Sequence, residues 1–254
     1  MPDATQRFGS RADNYARYRP GYPPAVIDVL RLTPGVRVAD LGSGTGIFAR
    51  LLVEAGGEVW AVEPNGPMRE AAERDLESVP GFHSVNGRAE ATTLADESVD
   101  LVTAAQAAHW FDIPRARVEC RRILRPGGRV AFIWNVRLQD ANPFLRQLED
   151  LLRTLGREFP DESLQPKVQD PFFGAGRYQV DHLPSEQVLD WPAFQGRIAS
   201  ASYTPEPGAS GYEALQTDLR SLFDRHQQGG VVRILYDTRV VVSTHGFRDR
   251  DVLD

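Results

Sequence analysis

The stretch VRVADLGSGTG, Val36–Gly46, followed by IFARLLVEAGG, Ile47–Gly57, decides the fold of this chain. Val36, Val38, Ala39 and Leu41 make a short apolar strand, which breaks into three glycines, Gly42, Gly44 and Gly46, each separated by one residue. Ile47, Phe48, Leu51, Leu52 and Ala55 then recur at helical spacing until Gly56 and Gly57 stop the helix. A strand, a glycine loop and a helix form a docking point the size of a nucleotide. Missing Cβ atoms let a ligand approach the backbone, and the helix start offers unpaired N–H groups.

Two features select among the ligands such a loop can take. In the dinucleotide fingerprint G-x-G-x-x-G the third glycine would fall on Ile47. Asp40 also stands just ahead of the loop, where its charge opposes a pyrophosphate and suits a ligand with a positive end, such as an ammonium or sulfonium group. Both point away from NAD and toward S-adenosylmethionine (SAM). The next strand, Val59–Val62, ends in Glu63, 23 residues after Asp40. A carboxylate there can accept hydrogen bonds from both hydroxyls of an adenosine ribose. That feature is common to NAD and SAM sites; its combination with Asp40 and the glycine spacing is not.

VADLGSGTG, AVEPNGPM, VNGRAEATTLADESVDLVTAAQAAHWFD and RRILRPGGRVAFIWN follow one another in the order found in class I SAM-dependent methyltransferases. The chain resembles the branch of that family, methyltransferase type 11, that methylates small molecules. The resemblance runs from about Val36 to Asn135, the N-terminal YARYRPGYP resembles one subgroup, and beyond Asn135 the likeness is loose. It implies a Rossmann-like α/β fold with a mostly parallel seven-stranded sheet in the order 3-2-1-4-5-7-6, helices on both faces and a helical lid. It also implies one domain over residues 1–254: N-terminal helices over the cofactor (1–35), a SAM-binding core (36–135), then lid helices and strands 6 and 7 (136–254).

The resemblance further assigns residues. Arg19 would pair the methionine carboxylate and Tyr15 would close the pocket, while the plain alternative is a surface helix whose tyrosines pack on the domain. Gly42, Ser43, Gly44, Gly46 and Pro64 would line the cofactor. Met68 would lie near the adenine, unless it is simply core on the helix it shares with Ala71, Ala72 and Leu76. The Ala89 backbone would recognise adenine, with Glu90 as either a side-chain acceptor or a solvated loop charge. Many relatives carry an aspartate where this chain has Arg88.

Ligands of open parallel sheets sit beyond the carboxyl ends of the strands, where strand order reverses. The exit of the fourth strand, Ser98–Ala104, therefore brings Gln106 and Ala107 to the methionine part and His109 and Trp110 to the acceptor. His109 reads as a base or positioning group, or as a structural hydrogen-bonder; Trp110 reads as pocket wall. Asp112 caps a helix opened by Pro114, whose buried stripe includes Cys120.

A chain of 254 residues fits one α/β domain. A net charge of −6, with scattered arginines and a single lysine, Lys167, exerts no general pull on nucleic acid or an anionic membrane. No apolar run approaches the ~20 residues of a membrane span. One cysteine and an N-terminus without a hydrophobic signal segment suggest a cytoplasmic protein, monomer or homodimer. No His/Cys cluster suggests a metal. RPGG, Arg125–Gly128, reads as a turn before a fifth strand, Arg129–Asn135. Helices are expected over 23–32, 141–156, 189–202 and 211–227, a sixth strand over Tyr178–Leu183, and an antiparallel seventh over Val232–Val242. Phe159–Arg177 is proline-punctuated, and Phe172 and Phe173 could line a substrate pocket or cap the fold.

The expected function is methyl transfer from SAM to a small-molecule acceptor, at oxygen, with S-adenosylhomocysteine as product. The alternatives are a protein that binds SAM without transferring its methyl group and an NAD(P)-dependent oxidoreductase.

Overall fold

Apolar strands flanked by amphipathic helices assemble around one seven-stranded sheet in the order β3-β2-β1-β4-β5-β7-β6. The computed structural model describes residues 18–155, 168–201 and 204–247. Tyr15, Lys167 and the stretch 159–167 lie outside them. The elements are α1 (Ala25–Leu30), β1 (Arg37–Leu41), α2 (Ile47–Glu54), β2 (Glu58–Val62), α3 (Gly66–Leu76), β3 (Phe82–Val85) and β4 (Val99–Ala105). They continue with α4 (Ile113–Ile123), β5 (Leu124–Arg137), α5 (Pro143–Arg153), α6 (Gln169–Phe173), β6 (Tyr178–Leu189), α7 (Trp191–Ala199), α8 (Tyr212–His226) and β7 (Val232–Ser243). The first five strands pair in parallel, and β7 inserts antiparallel between β5 and β6, as the resemblance implies.

The central strands are buried on both faces, so they read as continuous apolar runs. Along β5, Val130, Phe132 and Trp134 enter one core with α4 and α6, while Ala131 and Ile133 enter the other with α1 and α2. A third core gathers Phe144 and Leu148 of α5, Phe194 of α7 and Leu219 and Phe223 of α8 over Ile234 and Tyr236 of β7. Asn65, Asp112, Asn142 and Asp190 each accept a backbone N–H at the start of a helix opened by proline.

Three expectations change. RPGG is not a turn before β5 but a bulge within it: Leu124 pairs with Val99, and pairing resumes at Arg129 with Leu101. Gly127 (φ +77°) supplies the backbone conformation this needs. β6 runs to Leu189, well past Leu183, because β7 is long enough to pair with all of it. Phe172 and Phe173 do not line an open pocket; they pack in the core against Phe132, with ring centroids at 4.6 and 5.0 Å. Cys120 is buried core, as its helical stripe suggests.

Candidate active site

The loop after β1 is built by left-handed glycines. Gly42 (φ +65°), Gly44 (+57°) and Gly46 (+81°) all occupy the region that disfavours side chains. At Gly42 space is also closed: a Cβ would stand 2.7 Å from Ala107 Cβ and 3.7 Å from the Phe111 ring. This contact joins the exits of β1 and β4, which are neighbours at the point where strand order reverses.

Two acids face this loop. Asp40 is fully buried opposite Thr103 of β4, whose hydroxyl donates to its Oδ1 at 2.8 Å. Burial pushes its pKa up to about 7; the Thr103 bond works the other way and nearby Glu63 adds to the rise. Glu63 is buried at the tip of β2, where Oε2 accepts Gly44 N–H at 2.9 Å and Oε1 accepts Asn65 N–H at 2.8 Å. Desolvation raises its pKa, opposed by those two bonds and by Arg69. Each carboxylate oxygen keeps lone-pair capacity for a further donor.

Asp40 Oδ2, Ser43 Oγ and Thr45 Oγ1 are buried with no hydrogen-bond partner among the described residues. Buried polar atoms in folded proteins are nearly always paired. An orphaned carboxylate oxygen and two hydroxyls around a glycine cradle fit a ligand with cationic and hydroxyl groups, and the Asp40 and Glu63 carboxylates oppose a diphosphate. Met68 is buried with its sulfur against the loop, 3.8 Å from where a Gly44 Cβ would stand. Pro64 is half-buried beside Glu63.

The far side of the site comes from the β3 and β4 exits. Ala89 is buried. Glu90 Oε1 accepts the Asp112 N–H at 2.8 Å, tying the post-β3 loop to the start of α4. Gln106 has φ +55°, a strained conformation for a non-glycine residue, and its Nε2 donates to the Asn135 carbonyl at 3.1 Å. That turn sets buried Ala107 against the glycine loop and leads into a single 3₁₀ turn, Ala108–Trp110. His109 and Trp110 are both exposed there, with ring centroids 5.0 Å apart. Desolvation pushes the His109 pKa down to about 4, although the residue is exposed. The accessible surface argues for a smaller shift, and the imidazole is predominantly neutral at pH 7 in either case.

Arg19 Nη2 donates to the Ser200 carbonyl, just past α7, at 3.2 Å. Sequence reading missed Thr103, the partner of Asp40, although a lone hydroxyl in the apolar run VDLVTA was a usable signal. It also missed Glu119, which accepts from Thr92 N–H (2.7 Å), Thr92 Oγ1 (2.5 Å) and Arg122, fastening the loop after β3 to α4. His226 is accounted for by Gln147, 3.1 Å away. Among the described residues no group of His, Cys, Asp and Glu could hold a metal, and no helix is long and apolar enough to cross a membrane.

A sheet of this order, with a glycine loop after β1 and an acid ending β2, is the architecture of the class I methyltransferases. The methyltransferase-domain family profile matches residues 39–132. An uncharacterized methyltransferase of Mycobacterium bovis is 38% identical over 204 residues, 79% of each chain. The solved structure of a putative type II methyltransferase from Anaeromyxobacter dehalogenans superposes with a TM-score of 0.65 at 26% identity, over 89% of this chain and 97% of that one. A malonyl-[acyl-carrier protein] O-methyltransferase of Methylococcus capsulatus is 44% identical over 102 residues, 39% of this chain and 37% of its own. The chain belongs to the class I SAM-dependent methyltransferase family.

Proposed function

We propose that this enzyme methylates an oxygen nucleophile on a small molecule, in the cleft between the glycine loop and the His109–Trp110 turn. The observation that carries this reading is the buried, unpartnered Oδ2 of Asp40 beside the orphaned Ser43 and Thr45 hydroxyls. Asp40 would attract the cationic part of the cofactor, Glu63 the ribose hydroxyls, and Met68 and Ala89 would flank the adenine. Gln106 and Ala107 would border the methionine part.

When bound, SAM supplies a methyl group already activated by a sulfonium. The protein's share is therefore alignment and exclusion of water. Holding an acceptor oxygen about 3–3.5 Å from the methyl carbon, in line with the bond to be broken, can be worth roughly 7–11 kcal/mol. A neutral His109 ring nitrogen is suited to take the hydroxyl proton, a contribution of about 10²–10⁴-fold. With a carboxylate acceptor no proton moves, and His109 would only position. The partial likeness to a malonyl-[acyl-carrier protein] O-methyltransferase supports oxygen as the acceptor atom.

Calorimetric titration with SAM and with NADH tests the cofactor, and binding of NADH alone would reverse the reading. Incubation with methyl-labelled SAM and fractionated metabolites tests the reaction. S-adenosylhomocysteine should form in step with a labelled, base-labile product if the acceptor is a carboxylate, or a base-stable ether if it is a hydroxyl. Label in an amine alone would remove oxygen from the proposal.

A further inference from the structure

Residues 18–22 cross between two parts of the molecule far apart in sequence. At one end the Tyr18 ring lies on Gly196 of α7. A Cβ at Gly196 would stand 2.5 Å from Tyr18 Cδ2 and 2.7 Å from Cζ, and closer still to Cε2. The Tyr18 carbonyl accepts Gln187 Nε2 of β6 at 2.8 Å, and Arg19 reaches the Ser200 carbonyl just beyond α7. At the other end the Gly21 carbonyl accepts Asn135 Nδ2 at 3.0 Å, and the Tyr22 ring meets Phe48 of α2 edge-on, with centroids 4.8 Å apart. Phe48 is in the first turn of the helix that the glycine loop opens. Asn135 is the residue whose carbonyl holds Gln106.

The two carboxamides are themselves held. Asn135 Oδ1 accepts the Thr238 hydroxyl at 2.6 Å, and Thr238 meets Ser185 Oγ at 2.8 Å. Gln187 Oε1 accepts Tyr236 OH at 3.3 Å, and that hydroxyl accepts Arg197 Nε at 3.3 Å. Thr238 and Tyr236 are two residues apart on β7, so one face of that strand orients both amides. With each oxygen occupied, each NH₂ group has a fixed direction, and both point at carbonyls of the 18–22 segment.

Gly196 makes the arrangement more than incidental packing. It sits inside α7 with its backbone helical, where glycine costs helix stability relative to alanine. Nothing about its backbone conformation calls for glycine, while the Tyr18 ring occupies the space of a Cβ.

We propose that Gly196, Gln187 and Asn135 are positioning residues that seat the strap Tyr18–Tyr22 across the carboxyl edge of the sheet, linking lid helix α7 to glycine-loop helix α2 and keeping the cofactor site in its binding-competent form. This rests on the assignment of that site to SAM. The strap makes no chemical step; its effect is on the fraction of molecules ready to bind, and apparent affinity falls with that fraction.

Gly196→Ala is the decisive variant, because alanine favours the helix itself while the three atoms nearest its Cβ all belong to the Tyr18 ring. Displacing the strap in four molecules of five should raise the dissociation constant for S-adenosylhomocysteine, and KM for SAM, by about fivefold, with kcat at saturating SAM nearly unchanged. Chymotryptic cleavage after Tyr18, identified by a fragment beginning at Arg19, should accelerate in the ligand-free variant. Tyr18→Ala should weaken binding similarly, and adding Gly196→Ala to it should cost nothing more, since the two act through one contact. Wild-type protein that binds S-adenosylhomocysteine while Gly196→Ala binds it equally well would overturn the inference. So would a loss confined to kcat. Wild-type protein that fails to bind it at all would instead overturn the cofactor assignment and take the strap's role with it, the cleavage rates still reporting whether Gly196 seats Tyr18.

Discussion

Replacing Asp40 by asparagine should stabilise the ligand-free protein and weaken its hold on SAM, both for the same reason. Asp40 is fully buried, one oxygen bonded to Thr103 and the other without a partner. Its pKa rises from 3.8 to about 7 on folding, chiefly by desolvation. A folded-state pKa above the unfolded one means that the contribution to stability is fully present below 3.8 and is lost as pH rises through about 7. A shift of about three units corresponds to roughly 4 kcal/mol disfavouring the ionised form. Asparagine keeps the volume and still accepts from Thr103, but its NH₂ group replaces the orphaned oxygen and costs about 1–3 kcal/mol if left unpaired.

The net gain for Asp40→Asn is then about 1–3 kcal/mol at roughly pH 8.5, fading to nothing or reversing near about pH 5, where Asp40 is protonated. In a protein of this length each kcal/mol moves the melting temperature by about 2–4 °C. Thermal melts of both proteins at the two pH values isolate the effect, because every other titration is common to the pair. A difference in melting temperature that does not grow with pH would refute the reasoning, as would a variant less stable than wild type at the higher pH. The same variant should bind SAM about tenfold or more weakly, a loss near 1.4 kcal/mol, since the charge that burdens the empty fold is the one that meets the cofactor's cation.

Glu63→Ala should raise the dissociation constant for S-adenosylhomocysteine more than about tenfold in calorimetry, because it removes a charged acceptor and frees the Gly44 and Asn65 N–H groups; an unchanged constant would detach Glu63 from the ribose. Gly42→Ala puts a Cβ 2.7 Å from Ala107 at φ +65°, and chemical denaturation should show a loss of about 2–4 kcal/mol. With desolvation holding the His109 imidazole below its usual value, kcat should begin to fall only below about pH 6.5 while kcat/KM for SAM falls as pH drops through about 7 with Asp40, and His109→Ala should lower kcat about 10²-fold for a hydroxyl acceptor. Glu119→Ala strands the buried N–H and hydroxyl of Thr92 and should cost about 2–4 kcal/mol at neutral pH. Glu119 is held down to about 2 by Arg122 and Thr92, so its stabilisation is present above 4.5 and disappears as pH falls through about 2, which acid titrations of wild type and Glu119→Gln would compare.

The glycine loop and the acid at the tip of β2 were legible because their physics is local. Left-handed backbone forces glycine at Gly42, Gly44 and Gly46, and an acid at a strand tip stands out against apolar neighbours. Asp112 followed by Pro114 marked the start of α4. Signals failed where a partner distant in sequence decides the outcome. RPGG has turn chemistry, yet pairing between Val99 and Leu124 draws it into β5 as a bulge. Nothing near Leu183 says that β6 continues, since the reason is the length of β7. Phe172 and Phe173 are aromatic in a proline-punctuated stretch, and residues distant in sequence, Phe132 and Phe247 among them, make them core.

Gln106 shows how the two kinds of signal meet. Its φ of +55° belongs to the same set of left-handed turns as the three glycines, but a glutamine hides that from a reader of sequence. The side chain explains why glycine is not there: Nε2 bonds the Asn135 carbonyl, and Asn135 in turn holds the Gly21 carbonyl. A glycine would relax the backbone at the exit of β4 and cut the side-chain tie to β5. Strain of about 1–3 kcal/mol at one residue persists only where the surroundings over-determine it. Here the surroundings are the Ile133 carbonyl that takes the Gln106 N–H at 2.8 Å, the Asn135 carbonyl, and the Gly42–Ala107 contact one residue on. Together they fix the direction in which the chain leaves β4, and therefore where His109 and Trp110 face. On the function proposed above, the acceptor side would be aimed by the strand exit that packs against the glycine loop, so substitutions that retune the acceptor without disturbing SAM should be sought after Ala107 rather than before it.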